Sequence, residues 1–237
     1  MNKFAFYASV CIGLFLAACG DDGSPVTISP WEVSLSTLID SRDGQSYKAV
    51  TIGSQTWMAQ NLNYETANSY CYDYDLSNCI KYGRFYTWAT AMDSVETWTT
   101  NGKSCGYGKT CSPTLPVRGV CPEGWHLPTV GEWNVLFTAV GGQPTAGKML
   151  KSTSGWNCSD NGRHVRISGN GTDDYSFSVL PVAYWEHSTE GCAAYFWSSD
   201  EGGSGHAYDV TLSYGIDYAD LALSYKFYYY PVRCVKD

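Results

Sequence analysis

The sequence predicts an α+β domain, with short helices in its first half and strands in its second. Two observations carry that prediction: a capping box leading into an amphipathic run, and a later series of aromatic and β-branched segments set between Gly, Asn and Asp turns. A third bears on where the domain works, namely an apolar N-terminus and ten cysteines in a chain of 237 residues.

The chain opens with Lys3 and an apolar run over 4–18, too short to span a bilayer and read as a signal peptide. It ends in "LAAC", residues 16–19, which resembles the lipobox of bacterial lipoproteins. The resemblance implies a lipoprotein signal peptide over 1–18 and a diacylglyceryl, N-acylated Cys19 that anchors the chain to a lipid bilayer. Residues 19–36 contain "GDDGSPVTISP", polar and without apolar periodicity, and read as a tether. Asp21-Asp22 is similar to acidic surface-export signals, against a plain solvated linker; the expected place is the bacterial envelope, lipid-anchored at the outer membrane and facing either the periplasm or the exterior. Residues 37–237 are expected to form one domain. The net charge of −8, one unit more negative without Lys3, argues against nucleic acid, which needs a basic field.

Within the domain, residues 37–62 contain turn signals at Asp43-Gly44 and Gly53-Ser54, which predict three short strands. "FYTWATAM", 85–92, predicts a short helix from Trp88 and Met92 four apart among alanines. A second helix is predicted from Val130, because Thr129 and Glu132 form a capping box and Val130, Trp133, Leu136, Phe137 and Val140 share one face. Gly141-Gly142 stop it. After it, residues 177–185, 194–201, 206–214, 217–225 and 230–237 read as strands.

Eight cysteines remain once Cys11 leaves with the leader and Cys19 is acylated, and an even count in an exported chain points to disulfides. Cys71 with Cys79 and Cys105 with Cys111 are local pairings, each closing a small polar loop. Zinc is disfavoured, since no pair has knuckle spacing and His126, His164, His187 and His206 are scattered. "GNGTDDYS", 169–176, offers Asn170, Asp173 and Asp174 as hard-oxygen candidates for calcium, against a plain turn; no other cofactor is implied. No phosphate-binding loop, nucleophile elbow or triad is present in the sequence, and His126 and Glu132 read as structural. No catalytic residue is assigned.

The chain carries 19 Tyr and 9 Trp. Trp57, Trp88, Trp125, Trp133 and Trp197 are expected in the core, whereas the run Tyr228-Tyr229-Tyr230, read as strand, must turn rings outward. Tyrosine joins a rigid apolar face to a polar tip, which suits stacking on sugars and adaptable contact surfaces.

Seven ordered segments, "DSRDGQSYKAVTIGSQTWMAQNLNY", "YGRFYTW", "GVCPEGWHLPTVGEW", "AGKMLKSTSGW", "GTDDYSFSVLP", "YFWSSDE" and "VRCVKD", resemble the Fibrobacter succinogenes major paralogous domain over 37–237. "LPTVGEW" with the terminal "VRCV" is more distantly similar to the formylglycine-generating enzyme superfamily, whose fold is a variant of the C-type lectin fold. That likeness implies a lectin-like twisted, mostly antiparallel sheet with two short helices and long loops. It also implies Cys121 paired with Cys234, and Cys158 and Cys192 remain. Residues 220–231 lack the enzymes' copper-binding cysteines, and the calcium motifs of sugar-binding lectins are missing, so neither chemistry carries over.

The function expected is an envelope-anchored, non-enzymatic recognition module for polysaccharide or another surface protein. The alternatives are a structural or adhesive envelope protein without a dedicated ligand, and, third, an enzyme. By the lectin-like resemblance, the loops holding Asn170, Asp173 and Asp174, residues 185–190 and residues 200–205 face away from the tether. Tyr184, Trp185, Tyr195, Tyr214 and Tyr218 beside them are the candidate ligand contacts.

Overall fold

A computed structural model describes residues 33–160, 163–164, 169–182 and 190–237. The strands expected over 37–62 are β1 (Ser34–Ile39), β2 (Ser46–Ile52) and β3 (Gln55–Met58), paired antiparallel through the two predicted turns. Next come β4 (Ser69–Tyr70), a 3-10 turn (Tyr72–Tyr74), α1 (Leu76–Tyr82), β5 (Phe85–Tyr86) and α2 (Trp88–Ala91). The segment read as one helix over 85–92 is therefore split. Phe85 and Tyr86 pair with β4, and Thr87, whose side chain accepts the Thr90 N–H, starts the helix. The middle of the chain supplies β6 (Trp125–His126), α3 (Val130–Ala139) and α4 (Gln143–Leu150). A hairpin of β7 (Ser159–Asp160) and β8 (Arg163–His164) precedes β9 (Ala193–Glu201), β10 (His206–Ser213), β11 (Ala219–Tyr225) and the short β12 (Val235–Lys236).

The α+β class is as expected, but two helices were too few. α1 and α4 are additional, and α1 escaped the periodicity test because its Leu76 and Ile80 face solvent. Asp75 caps it, accepting the Ser77 N–H at 2.8 Å. The strand expected over 177–185 is absent where described: 177–182 is loop, with Ser176 and Ser178 at positive φ and only Val179 bridging to Lys151. The last segment is strand only at Val235 and Lys236. Tyr228 and Tyr229 are half-buried in a turn and Tyr230 is buried, so the run does not lay rings outward along a strand.

The larger sheet has the order β1-β2-β3-β12-β6, and β11-β10-β9 forms the smaller one. Alternation explains how the central strands bury both faces. Tyr47, Ala49, Met58 and Cys234 enter one core cluster with Trp88, Trp125 and Trp197, while Val50, Ile52, Trp57 and Val235 enter another with Trp133, Phe177 and Phe196. All five tryptophans expected in the core are buried. A large side chain fully buried in this way contributes about 1.5–3 kcal/mol. α3 starts at Val130 as expected, its capping box complete, and drives Trp133 to 4.6 Å from Trp57 and 5.7 Å from Phe196. Gly147 of α4 lets the helix lie on the β10–β11 turn, since a Cβ there would stand 2.5 Å from the Tyr218 carbonyl oxygen.

Four disulfides join Cys71 to Cys79, Cys105 to Cys111, Cys121 to Cys234 and Cys158 to Cys192, the partners expected above. Three buried cations do similar work for the irregular segments. Lys151 Nζ donates to the carbonyls of Ser213 (3.1 Å) and Ile216 (2.9 Å). Lys226 Nζ donates to those of Lys109 (2.9 Å) and Gly106 (3.3 Å) and pairs with Glu201. The Arg233 guanidinium donates to Asn61 Oδ1 (2.8 Å) and to the carbonyls of Phe177 and Ser178. Burial lowers the Lys151 pKa, against a smaller opposing pull from Asp217, and brings that of Arg233 to about 9, against Asp173. Loop carbonyls without ladder partners are thereby satisfied.

Candidate ligand-binding site

Tyr195 and Tyr214 turn their rings inward. Tyr195 stacks on buried Tyr230 at 4.8 Å against the first core, and Tyr214 packs on the second. Tyr218, in the β10–β11 turn, is exposed. Cys19, Tyr184 and Trp185 lie outside the described residues. Two of the calcium candidates have oxygens engaged by the protein: Asp173 accepts the Ser178 N–H (2.7 Å) and hydroxyl (2.6 Å), and Asn170 Oδ1 accepts the Trp156 N–H (3.0 Å), while Asp174 is exposed. Among the described residues no three or more His, Cys, Asp or Glu side chains converge as metal ligands.

His126 combines with two carboxylates in a way that invites a catalytic reading. Its Nδ1 lies 2.6 Å from Asp237 Oδ1 and its Nε2 2.7 Å from Glu132 Oε1. Burial opposes its charge, but hydrogen bonds and charge from Glu132 and Asp237 outweigh burial and raise its pKa. Glu132 shifts down, because the His126 and Thr129 hydrogen bonds outweigh its own burial. Both ring nitrogens are thus committed, and Glu132 Oε2 is occupied by the Thr129 backbone and hydroxyl. The trio ties Asp237 to the start of α3 through the His126 ring.

The exposed aromatics gather elsewhere. Tyr107, Tyr225 and Phe227 are 58%, 43% and 45% exposed, an unusual state for large rings in contact with one another. Phe227 stacks on Tyr225 at 5.1 Å and meets Tyr107 edge-on at 5.0 Å, and His206 lies 4.4 Å from Tyr225. Three segments supply these rings: the loop closed by Cys105–Cys111, the start of β10, and the end of β11. Lys226 knits them from below. Its backbone N–H donates to the Gly205 carbonyl, its ammonium lies 4.4 Å over the Trp88 ring, and its partner Glu201 also accepts the Cys111 N–H at 3.1 Å. The Gly108 N–H to Ser204 carbonyl bond (2.8 Å) ties the first two segments directly. The result is a shallow, stiff aromatic platform.

The model of the Fibrobacter succinogenes major domain matches residues 50–236. The chain belongs to this family. The Fibrobacter major domain contains every ring of the platform, the cations Lys151, Lys226 and Arg233 and the four disulfides, and β1 precedes it. Neither a curated protein nor a solved structure matches the chain.

Sequence reasoning reached the neighbourhood of the platform through residues 200–205 and the C-terminal tyrosines, and it missed Tyr107, Phe227 and Lys226. Only one signal in the sequence bears on them: an aromatic inside a short disulfide loop has little local core to bury into.

Proposed function

We propose that this domain is a non-catalytic recognition module of C-type lectin-like architecture, held to the bacterial envelope by acylated Cys19, and that the platform is its contact surface for polysaccharide. The observation that carries the reading is the set of stacked, exposed rings of Tyr107, Tyr225 and Phe227 on a base fixed by a disulfide and by Lys226. Sugar rings present apolar C–H faces that pack on such aromatics, and a preorganised base reduces the ordering cost of binding. The commitment of both His126 nitrogens supports the non-catalytic side of the reading.

The test is binding of the purified protein to insoluble polysaccharide. Tyr225→Ala and Phe227→Ala should each weaken retention by about 1 kcal/mol or more, roughly fivefold, with little change in melting temperature. Unchanged retention by both variants would remove the platform from the binding surface.

A further inference from the structure

A second concavity, of about 550 Å³, opens between β2, the segment after β3, α1 and the loop at 176–180. Its volume falls within the roughly 300–1,000 Å³ of small-ligand sites. Its charge runs against the rest of the molecule. The lining carries Lys48, Lys81 and Arg233 and no Asp or Glu, in a chain with 23 acidic and 15 basic residues. Lys48 Nζ has no ion-pair partner among the described residues. Lys81 reaches Glu190 only at 3.5 Å, with both side chains more than half exposed, a pair worth little. Arg233 is fully buried at the floor and, among the described residues, has carbonyl and amide acceptors but no carboxylate within ion-pair range. Glu190 beside Lys81, Asp173 near Arg233 and Asp43 on Gln45 offset this charge from outside, but the lining itself presents cations and no carboxylate, which favours an anion.

The polar groups narrow the ligand further. Asn63 Nδ2 donates to Gln45 at 3.0 Å, but Asn63 Oδ1 is buried without a donor. Gln60 Oε1 accepts the Lys48 N–H at 2.7 Å, and its amino group has no protein acceptor among the described residues. A buried acceptor without a donor is destabilising, so the site favours a ligand that donates as well as accepts. A bare carboxylate or phosphate dianion only accepts.

We propose that this groove binds a uronic acid unit of an acidic polysaccharide, the sugar carboxylate lying between Lys48 and Lys81 above Arg233 and a sugar hydroxyl donating to Asn63 Oδ1. The site is separate in composition from the aromatic platform, sharing none of its rings, and does not depend on it.

Titration calorimetry of the full chain in detergent, with trigalacturonate as the probe, tests this. Saturable binding is expected, weakening several-fold when salt rises from about 50 to about 200 mM as exposed charges are screened. Lys48→Gln/Lys81→Gln, at two exposed positions that leave the fold intact, should lower affinity at least tenfold with an unchanged melting temperature. Neutral galactotriose should bind at least tenfold more weakly, and Tyr225→Ala/Phe227→Ala should leave trigalacturonate binding unaltered. The proposal is overturned by a lack of saturable binding, by binding indifferent to the lysine pair, or by equal binding of galactotriose. Equal binding of an oligoglutamate would assign the groove to acidic peptides instead and likewise overturn it. Loss of trigalacturonate binding in the Tyr225/Phe227 variant alone would move the sugar to the platform. Failure of the platform variants on insoluble polysaccharide, with groove binding intact, would refute only the platform.

Discussion

Glu201→Ala probes the support of the aromatic platform. Lys226 is wholly buried and Glu201 is its one carboxylate partner among the described residues, itself mostly screened from water with a side chain 14% exposed. Truncation leaves the ammonium with the Lys109 and Gly106 carbonyls and no counter-charge, and also strips the Cys111 N–H of its acceptor. Removing one partner of a buried pair costs about 3–5 kcal/mol, to which an unsatisfied backbone N–H adds about 1 kcal/mol. The two surviving carbonyls hold the total near about 3–5 kcal/mol. In a domain of this size that is a fall in melting temperature of about 6–20 °C. Urea unfolding followed by tryptophan fluorescence should show the loss as a lower midpoint with the slope unchanged. Amide exchange should quicken first at Gly108 and Cys111, whose acceptors lie in the Ser204 and Glu201 segment. Glu201→Gln, which keeps an oxygen acceptor without the charge, should fall about midway. A Glu201→Ala protein within about 1 kcal/mol of the parent would show that the ammonium reaches water and that the platform rests on something else.

Other expectations concern stability and anchoring. The chain-entropy model gives about 5 kcal/mol for the 113-residue separation of Cys121–Cys234 and about 2.5 kcal/mol for the 8 residues of Cys71–Cys79, so Cys121→Ser should lower the urea midpoint far more than Cys71→Ser. The raised His126 pKa stabilises the fold below the unfolded imidazole value near 6.5, and that stability is lost as pH rises through the folded value. The lowered Glu132 pKa contributes above the unfolded carboxylate range and is lost as pH falls through its folded value. Unfolding free energy should therefore peak between those ranges and decline above about pH 6.5, and His126→Gln should flatten the alkaline side; an unchanged decline would clear the clamp of responsibility. Cys19→Ser should move the protein from the detergent phase to the aqueous phase, and a variant still in the detergent phase would refute acylation at that position.

What was legible in the sequence was local. Thr129 and Glu132 lie three residues apart and specify the start of α3 by themselves, and β10 and β11 announce themselves by alternation around the Gly215 turn. The tryptophans went to the core because no other placement buries so much apolar surface. What escaped depends on partners distant in the chain. Lys226 meets the carbonyl of Gly106, 120 residues away, and nothing near either residue foretells a buried ammonium. Tyr107 and Phe227 are equally remote and touch only because that cation draws their loops together. Phe85 and Tyr86, set in a helical pattern, became strand because β4 and Tyr230 offered ladder partners. Tyr195 and Tyr214 show the opposite case, since an aromatic beside a loop can face either way and both rings lie half-buried against the cores.

The position of β12 has a consequence for how the molecule comes into being. A ribosome releases a chain from its N-terminus, yet the strand between β3 and β6 is made of residues 235–236, with Cys234 and Arg233 just before it. Until those residues emerge, β3 has a bare edge, Asn61 lacks its guanidinium and Cys121 has no thiol to oxidise with. The larger sheet therefore cannot close before residues 233–236 are in place, and until then β3 displays an open edge to whatever holdase or oxidase attends the chain.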